Sequence, residues 1–226
     1  MRVLALALAL TALAGSASAA DNRLSRAERQ AGWVSLFDGR TTKGWHGYNR
    51  VGAAPGWQVR DGALFPDPKV PGDIVTRRNF ANFELSLEWR ISPGGNSGVM
   101  FHVLPQGQET YESGPEYQIL DNARRSLPKE KAGGLYALVA PSVDATRPVG
   151  QFNQARLIVD HGKVEHWLNG VKVAAYQIGT PEFAAMVAAS KFRQWPPFAT
   201  GQTGAIALQN HGDDVAFKNV KVRVLK

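Results

Sequence analysis

Cysteine is absent from all 226 residues, so neither a disulfide nor a thiolate metal site can brace the fold, and burial of apolar surface must do so. The five histidines, His46, His102, His161, His166 and His211, fall in no H-x-H or H-x-x-x-H spacing, which leaves the zinc signal weak. No G-x-S-x-G elbow, phosphate loop or dinucleotide fingerprint occurs, so a serine nucleophile and a nucleotide cofactor both lack a seat. Repeats, low-complexity tracts and linkers are missing too, which argues for one domain. The long apolar run is confined to the start, MRVLALALALTALAGSASA. Its single positive charge, its Leu/Ala/Val stretch too short to span a bilayer and its small-residue end at Ala17-Ser18-Ala19 mark residues 1–19 as a cleavable signal peptide and not a membrane span. The expectation is one domain over residues 20–226, working in a periplasm or outside the cell.

The formal net charge is +7. Lys and Arg are nevertheless scattered singly, the densest groups being Arg77-Arg78 and Arg124-Arg125, with no arginine-rich helix or RNA-binding aromatic motif. Together with export, this excludes nucleic acid as the partner.

What the chain does contain is strand pattern. WQVRDGALF, FELSLEWRIS, SGVMFHVL, EYQILDN, ARLIVDHGKVEHWLNGVKVAAYQI and GAIALQNHGDDVAFKNVKVRVL are runs rich in Val, Ile, Leu, Phe and Trp, separated by Gly, Pro, Asn and Asp. Asp61-Gly62 and Asn169-Gly170 are hairpin dipeptides, and His161-Gly162 is a weaker third. Two stretches read as short helices. Residues 25–32 start at a Ser25 cap with Glu28 three residues on, and residues 181–195 begin with Pro181 and place Phe183, Met186 and Val187 on one face, to pack over one end of the sheets. An all-β domain of this size most naturally forms two packed antiparallel sheets. The irregular stretches 104–115 and 121–153 are long enough to carry function.

Several strands have a polar face. In GPEYQILDN, Glu116, Gln118 and Leu120 project from one side, and Tyr117, Ile119 and Asp121 from the other. GAIALQNH puts Gln209 and His211 opposite Ile206 and Leu208, and NSGVMFHV puts His102 on the face opposite Ser97, Val99, Phe101 and Val103. Planar amides and carboxylates on such faces suit the paired hydroxyls of sugars, although a solvated sheet surface shows the same alternation. In FELSLEWR, Glu84 and Glu88 are about 13 Å apart along a strand, too far for a retaining pair of glycosidase carboxylates, and Ser86 interrupts the triad; Glu88 stays a candidate.

Taken in order, GWVSLFDGRTTKGWHG, NFELSLEWRISPGGNSGVMFHV, GPEYQILDN, AGGLYALVAPS, HWLNGVKV and GAIALQNHGDDVAFKNVKV resemble the 3-keto-disaccharide hydrolase domain family from about Gly32 to the C-terminus. The resemblance implies a concanavalin A-like jelly-roll sandwich acting on glycosides whose C3 hydroxyl a partner sugar 3-oxidoreductase has oxidised to a ketone. Such a ketone acidifies the C2 proton, so that β-elimination at C1 followed by hydration gives a net hydrolysis. Carried over position by position, it implies Glu116 and His211 as the proton-transfer pair. Asn96, Ser97, His102, Gln118, Asp121, Tyr136 and Gln209, with Glu88 as an outside candidate, are the substrate-binding set. Nothing in the sequence requires a cofactor; a divalent metal, if present, would be held by Glu116, Asp121 and His211. His102 and Phe152 depart from the Arg and Trp of the family pattern. Trp45, Trp57, Tyr111 and Trp195 are the aromatics from which a sugar platform would come. The rival reading is a lectin-like binding module without catalysis.

Overall fold

The computed structural model describes residues 21–50, 55–124 and 127–226, so the expected signal peptide over residues 1–19 lies outside the described residues. The strands are β1 (Trp33–Ser35), β2 (Trp45–Gly47), β3 (Trp57–Arg60), β4 (Ala63–Pro66), β5 (Ile74–Thr76), β6 (Phe83–Ile91), β7 (Asn96–Val103) and β8 (Glu116–Leu120). They continue as β9 (Asn153–Asp160), β10 (Lys163–Leu168), β11 (Val171–Gln177), β12 (Ala205–Leu208) and β13 (Val215–Val224). Helix α1 (Arg26–Gln30) precedes them and α2 (Pro181–Ala188) lies between β11 and β12.

Two antiparallel sheets pack face to face as a jelly-roll sandwich. The larger runs β11-β10-β9-β6-β13-β4-β3, with β1 beside the far half of β13, and the smaller runs β2-β5-β12-β7-β8. The three expected hairpins close in primed-turn geometry: both central residues have positive φ at Asp61-Gly62, His161-Gly162 and Asn169-Gly170. Between the sheets lies an apolar core that includes Trp45, Phe83, Leu85, Leu87, Trp89, Phe101, Tyr117, Ile119, Ile206, Leu208 and Phe217. Its members come from alternate strand positions, as the period of two requires.

Ser25 and Glu28 form the expected capping box on α1. The second helical stretch is shorter than its periodicity predicts. It stops at Ala188, and Ser190 then caps a separate 3-10 turn over Lys191–Gln194 by accepting from the Phe192 N–H at 3.1 Å. The helix packs against β11 of the larger sheet, Phe183 stacking on Tyr176 at 5.8 Å, while the 3-10 turn, with Phe192 stacked on Phe198 at 4.0 Å, covers the polar end of the smaller sheet's outer face.

The outer face of the larger sheet absorbs the FELSLEWR polar set. Glu84 is buried and pairs with Arg156 and Arg223. Glu88 accepts from Asn219 at 2.8 Å and lies 3.6 Å from Lys218. Among the described residues no helix is long and apolar enough to cross a membrane.

Candidate active site

The smaller sheet has an outer face of two kinds. At one end Val75, Met100, Val103, Ala205 and Ala207 make it apolar. At the other, strands β7 and β8 bring Asn96, Glu116 and Gln118 together with Gln209, which follows β12, and these line a cavity of about 210 Å³. The cover contributes Lys191 and Phe192, the 104–115 loop Tyr111, the 121–153 loop Tyr136, and the segment after β12 His211. Both long irregular stretches thus reach the site.

Each wall is fixed by backbone pairing. Loop residues 133–136 pair along the outer edge of β8: the Gln118 N–H donates to Gly134 O at 3.0 Å, the Gly133 N–H to Gln118 O at 2.8 Å and the Tyr136 N–H to Glu116 O at 3.1 Å. This closes an otherwise open strand edge and delivers Tyr136 to the pocket. Buried His166 secures the loop from behind, one ring nitrogen on Gly133 O at 3.0 Å and the other on the Tyr176 hydroxyl at 2.9 Å. Gln209 is set by its N–H on Gly98 O at 3.0 Å.

Glu116 is 6% exposed and has no salt-bridge partner among the described residues. Burial pushes its carboxyl up to about 8, against the pull of the Lys191 ammonium and with a smaller push from Asp73. An acid displaced to that range is suited to exchanging a proton near neutral pH. Gln118 donates from Nε2 to Asn96 Oδ1 at 3.2 Å, whereas Oε1 of Gln118 and Oε1 of Gln209 are buried acceptors without a protein donor. Such atoms call for hydroxyl donors. His211 is half exposed, with Nδ1 3.9 Å from Asp213, whose carboxylate also accepts the Asn96 N–H at 2.9 Å and pairs with Arg124 at 2.9 Å.

Four expected substrate contacts lie elsewhere. Ser97 points into the sandwich, where its hydroxyl donates to Gln209 O at 2.8 Å and ties β7 to the end of β12. His102 is displaced by a β-bulge, because Val103 and Met100 pair with Ala205 and Ala207, so Phe101 and His102 together face Ile206 alone, and His102 takes φ +52°. The bulge returns Val103 to the outer face and turns His102 inward against Phe83 and Phe101, with Nε2 on Ala81 O at 2.8 Å. Asp121 closes its own loop, accepting from the N–H groups of Gly94 at 2.8 Å and Ala123 at 3.0 Å. Glu88 is on the other sheet. The metal set Glu116, Asp121 and His211 is accordingly not assembled, and no group of three His, Asp or Glu side chains converges among the described residues.

Sequence reasoning missed Lys191 and Asp73. Lys191 opens a one-turn element that no periodicity announces, and Asp73 sits between Gly72 and Ile74 with nothing local to mark it. Buried Asp73 accepts the Thr110 hydroxyl on one oxygen and the Asn210 N–H at 2.9 Å on the other. It joins the segment bearing Tyr111 to the one bearing Gln209 and His211. Of the four aromatics considered as platforms, Tyr111 lines the cavity and stacks edge-on against Trp195 at 5.4 Å, while Trp45 and Trp57 are core.

A two-sheet antiparallel sandwich with a carboxylate and three amides under a covering 3-10 turn on one outer face is a jelly-roll protein. Within that class the chain belongs to the 3-keto-alpha-glucoside-1,2-lyase-like domain family, which matches residues 32–223. By that membership the protein is an enzyme. A 3-keto-disaccharide hydrolase of Bacteroides thetaiotaomicron is 32% identical over 86% of this chain and 79% of its own length. A Parabacteroides distasonis protein provisionally named a glycosyl hydrolase superposes with a TM-score of 0.85 at 34% identity, over 92% of this chain and all of the other. A second such protein from that organism gives 0.68 at 25% identity, over 85% of this chain and 99% of its own.

Proposed function

We propose that this protein cleaves glycosides that carry a ketone at C3, by removing the C2 proton, eliminating the C1 substituent and hydrating the product. The observation that supports this most is the buried, unpaired Glu116 carboxyl, raised to about 8, the one carboxyl in a pocket lined by amides, aromatic rings and a single lysine. One ionisable group of that kind serves proton abstraction next to a carbonyl, whereas glycosidases of the usual sort need two carboxylates about 5–10 Å apart. Glu116 takes the C2 proton and His211, at the open rim, supplies a proton to the leaving oxygen. Gln118, Gln209 and Asn96 hold hydroxyls, with the two unpaired Oε1 atoms as acceptors.

The cavity, about 210 Å³, is below the roughly 300 Å³ at which pockets for drug-sized ligands begin, so it takes one sugar ring and leaves the rest of a disaccharide outside. A partner sugar 3-oxidoreductase would supply the ketone, and, with residues 1–19 read as a signal sequence, the cleavage would take place in a periplasm or outside the cell.

The test offers a 3-keto-disaccharide and its unoxidised parent to the protein in deuterated buffer, with and without chelator. Cleavage of the keto sugar alone, with deuterium entering C2, is the expected result. Binding of either sugar without cleavage would favour a lectin-like module.

A further inference from the structure

The elimination written above places negative charge on an oxygen. When the C2–H bond breaks, its electron pair becomes the C2=C3 π bond, and the C3=O π pair moves onto the C3 oxygen. That pair then re-forms C3=O, the C2=C3 pair becomes C1=C2, and the C1–O bond breaks, the leaving oxygen taking a proton from His211. Glu116 and His211 carry the protons. Neither supports the enolate oxygen in between, and in a water-poor pocket an unsupported oxyanion is the costly species.

Resting on that reading of function, we propose that Lys191 is the catalytic residue that donates hydrogen bonds to the C3 oxygen as it becomes an enolate. Lys191 is the one lysine or arginine among the residues lining the cavity. Its ammonium enters none of the salt bridges found among the described residues. It lies instead over the faces of Tyr136, 4.3 Å from the ring centre, and Phe192, at 5.4 Å. Aromatic faces hold a cation in place while leaving its charge unneutralised. Position and direction come from the cover: Ser190 caps the 3-10 turn in which Lys191 is the first residue, and Phe192, stacked on Phe198, anchors that turn in the apolar cluster with Leu135 and Leu138.

Lys191 also acts electrostatically on Glu116, and the two effects separate by pH. The charged and titratable groups acting on or lining the pocket with Glu116 are Lys191 from the cover and buried Asp73, together with Tyr111, Tyr136 and His211. Removing the lysine raises the Glu116 value and moves the rise in activity to higher pH. Loss of oxyanion support, by contrast, persists on the alkaline plateau, where Glu116 is already ionised.

The experiment compares wild type, Lys191→Met and Lys191→Arg on a 3-keto-disaccharide, following kcat/KM and C2 deuterium exchange across the alkaline plateau. Calorimetry gives the Kd of the unoxidised parent. Lys191 is exposed, so both variants should fold. Lys191→Met is expected to lower cleavage and exchange together by about 10²–10³-fold on the plateau, the size of losing one oxyanion donor. Lys191→Arg, which keeps charge and donors but cannot form an imine, is expected to hold within about tenfold of wild type, and the parent Kd within about twofold for both. Lys191→Met activity within about threefold of wild type on the plateau, or an equal loss in parent affinity, would overturn the assignment. A wild type that neither exchanges nor cleaves the keto sugar would instead sink the function on which it rests.

Discussion

Gly98 lies directly beneath the Glu116 carboxyl: a Cβ at Gly98 would stand 2.7 Å from the carboxyl carbon. Gly98 pairs with Gln118 in register, so the missing side chain opens a recess on the outer face of β7 into which Glu116 of the next strand folds. This glycine is required by close approach and not by backbone conformation. Gly98→Ala is expected to push the carboxyl from its seat and cut kcat/KM by about 10²-fold, with a stability cost of only about 1–3 kcal/mol. Steady-state kinetics and urea unfolding on one preparation would show it.

Glu116 also makes a statement about stability. Its folded value of about 8 lies above the ordinary 4.5, so the fold favours the protonated acid and stability falls as pH rises between those values. Asp73, raised to about 6 by burial, acts in the same direction but is finished by pH 6. Buried His166, held down to about 4, and His102, held below 6.5, act oppositely and are finished by pH 6.5. The window from about pH 6.5 to 8 therefore isolates Glu116 among these groups. Glu116→Gln should lose activity yet show a flatter Tm between pH 6.5 and 9 than wild type. Parallel Tm curves would refute this.

Asp73 and Thr110 offer a test of how the walls are joined. Thr110→Val leaves a buried carboxylate short of a donor, which should cost about 1–3 kcal/mol. Thr110→Ser keeps the hydroxyl and should restore most of it. Because Tyr111 follows Thr110 and His211 follows Asn210, the valine variant is also expected to raise KM. Urea titration and KM on the three proteins decide the matter.

His102 supplies a control. It sits in the bulge with positive φ, away from the pocket lining, and asparagine tolerates that conformation better than most residues. His102→Asn is expected to lower Tm through the lost packing on Phe83 and Phe101 while leaving kcat/KM within about twofold, as substitutions outside the site usually do. A large kinetic loss would return His102 to the site.

Much of this architecture was legible along the chain because strand alternation and turn chemistry are local. The Asp61-Gly62 and Asn169-Gly170 hairpins, the Ser25 capping box, and the outward Glu116, Gln118 and Gln209 all follow from period and residue type. Reading period two through His102 failed where the bulge inserts a residue. Nothing in NSGVMFHV signals it, since the cause is the pairing with β12, more than a hundred residues away in sequence.

By itself, then, the sequence determined an all-β sandwich with no disulfide, its hairpins, and which strand positions carry polar side chains. Only the tertiary structure decided which polar face became a pocket. Glu84 and Glu116 are both carboxylates on strand faces, but the first meets Arg156 and Arg223, while the second meets a glycine, two amides and the covering turn that carries Lys191. Charge neutralised in one place and buried unpaired in the other is a property of the neighbours, and the neighbours come from strands and loops that only packing brings together.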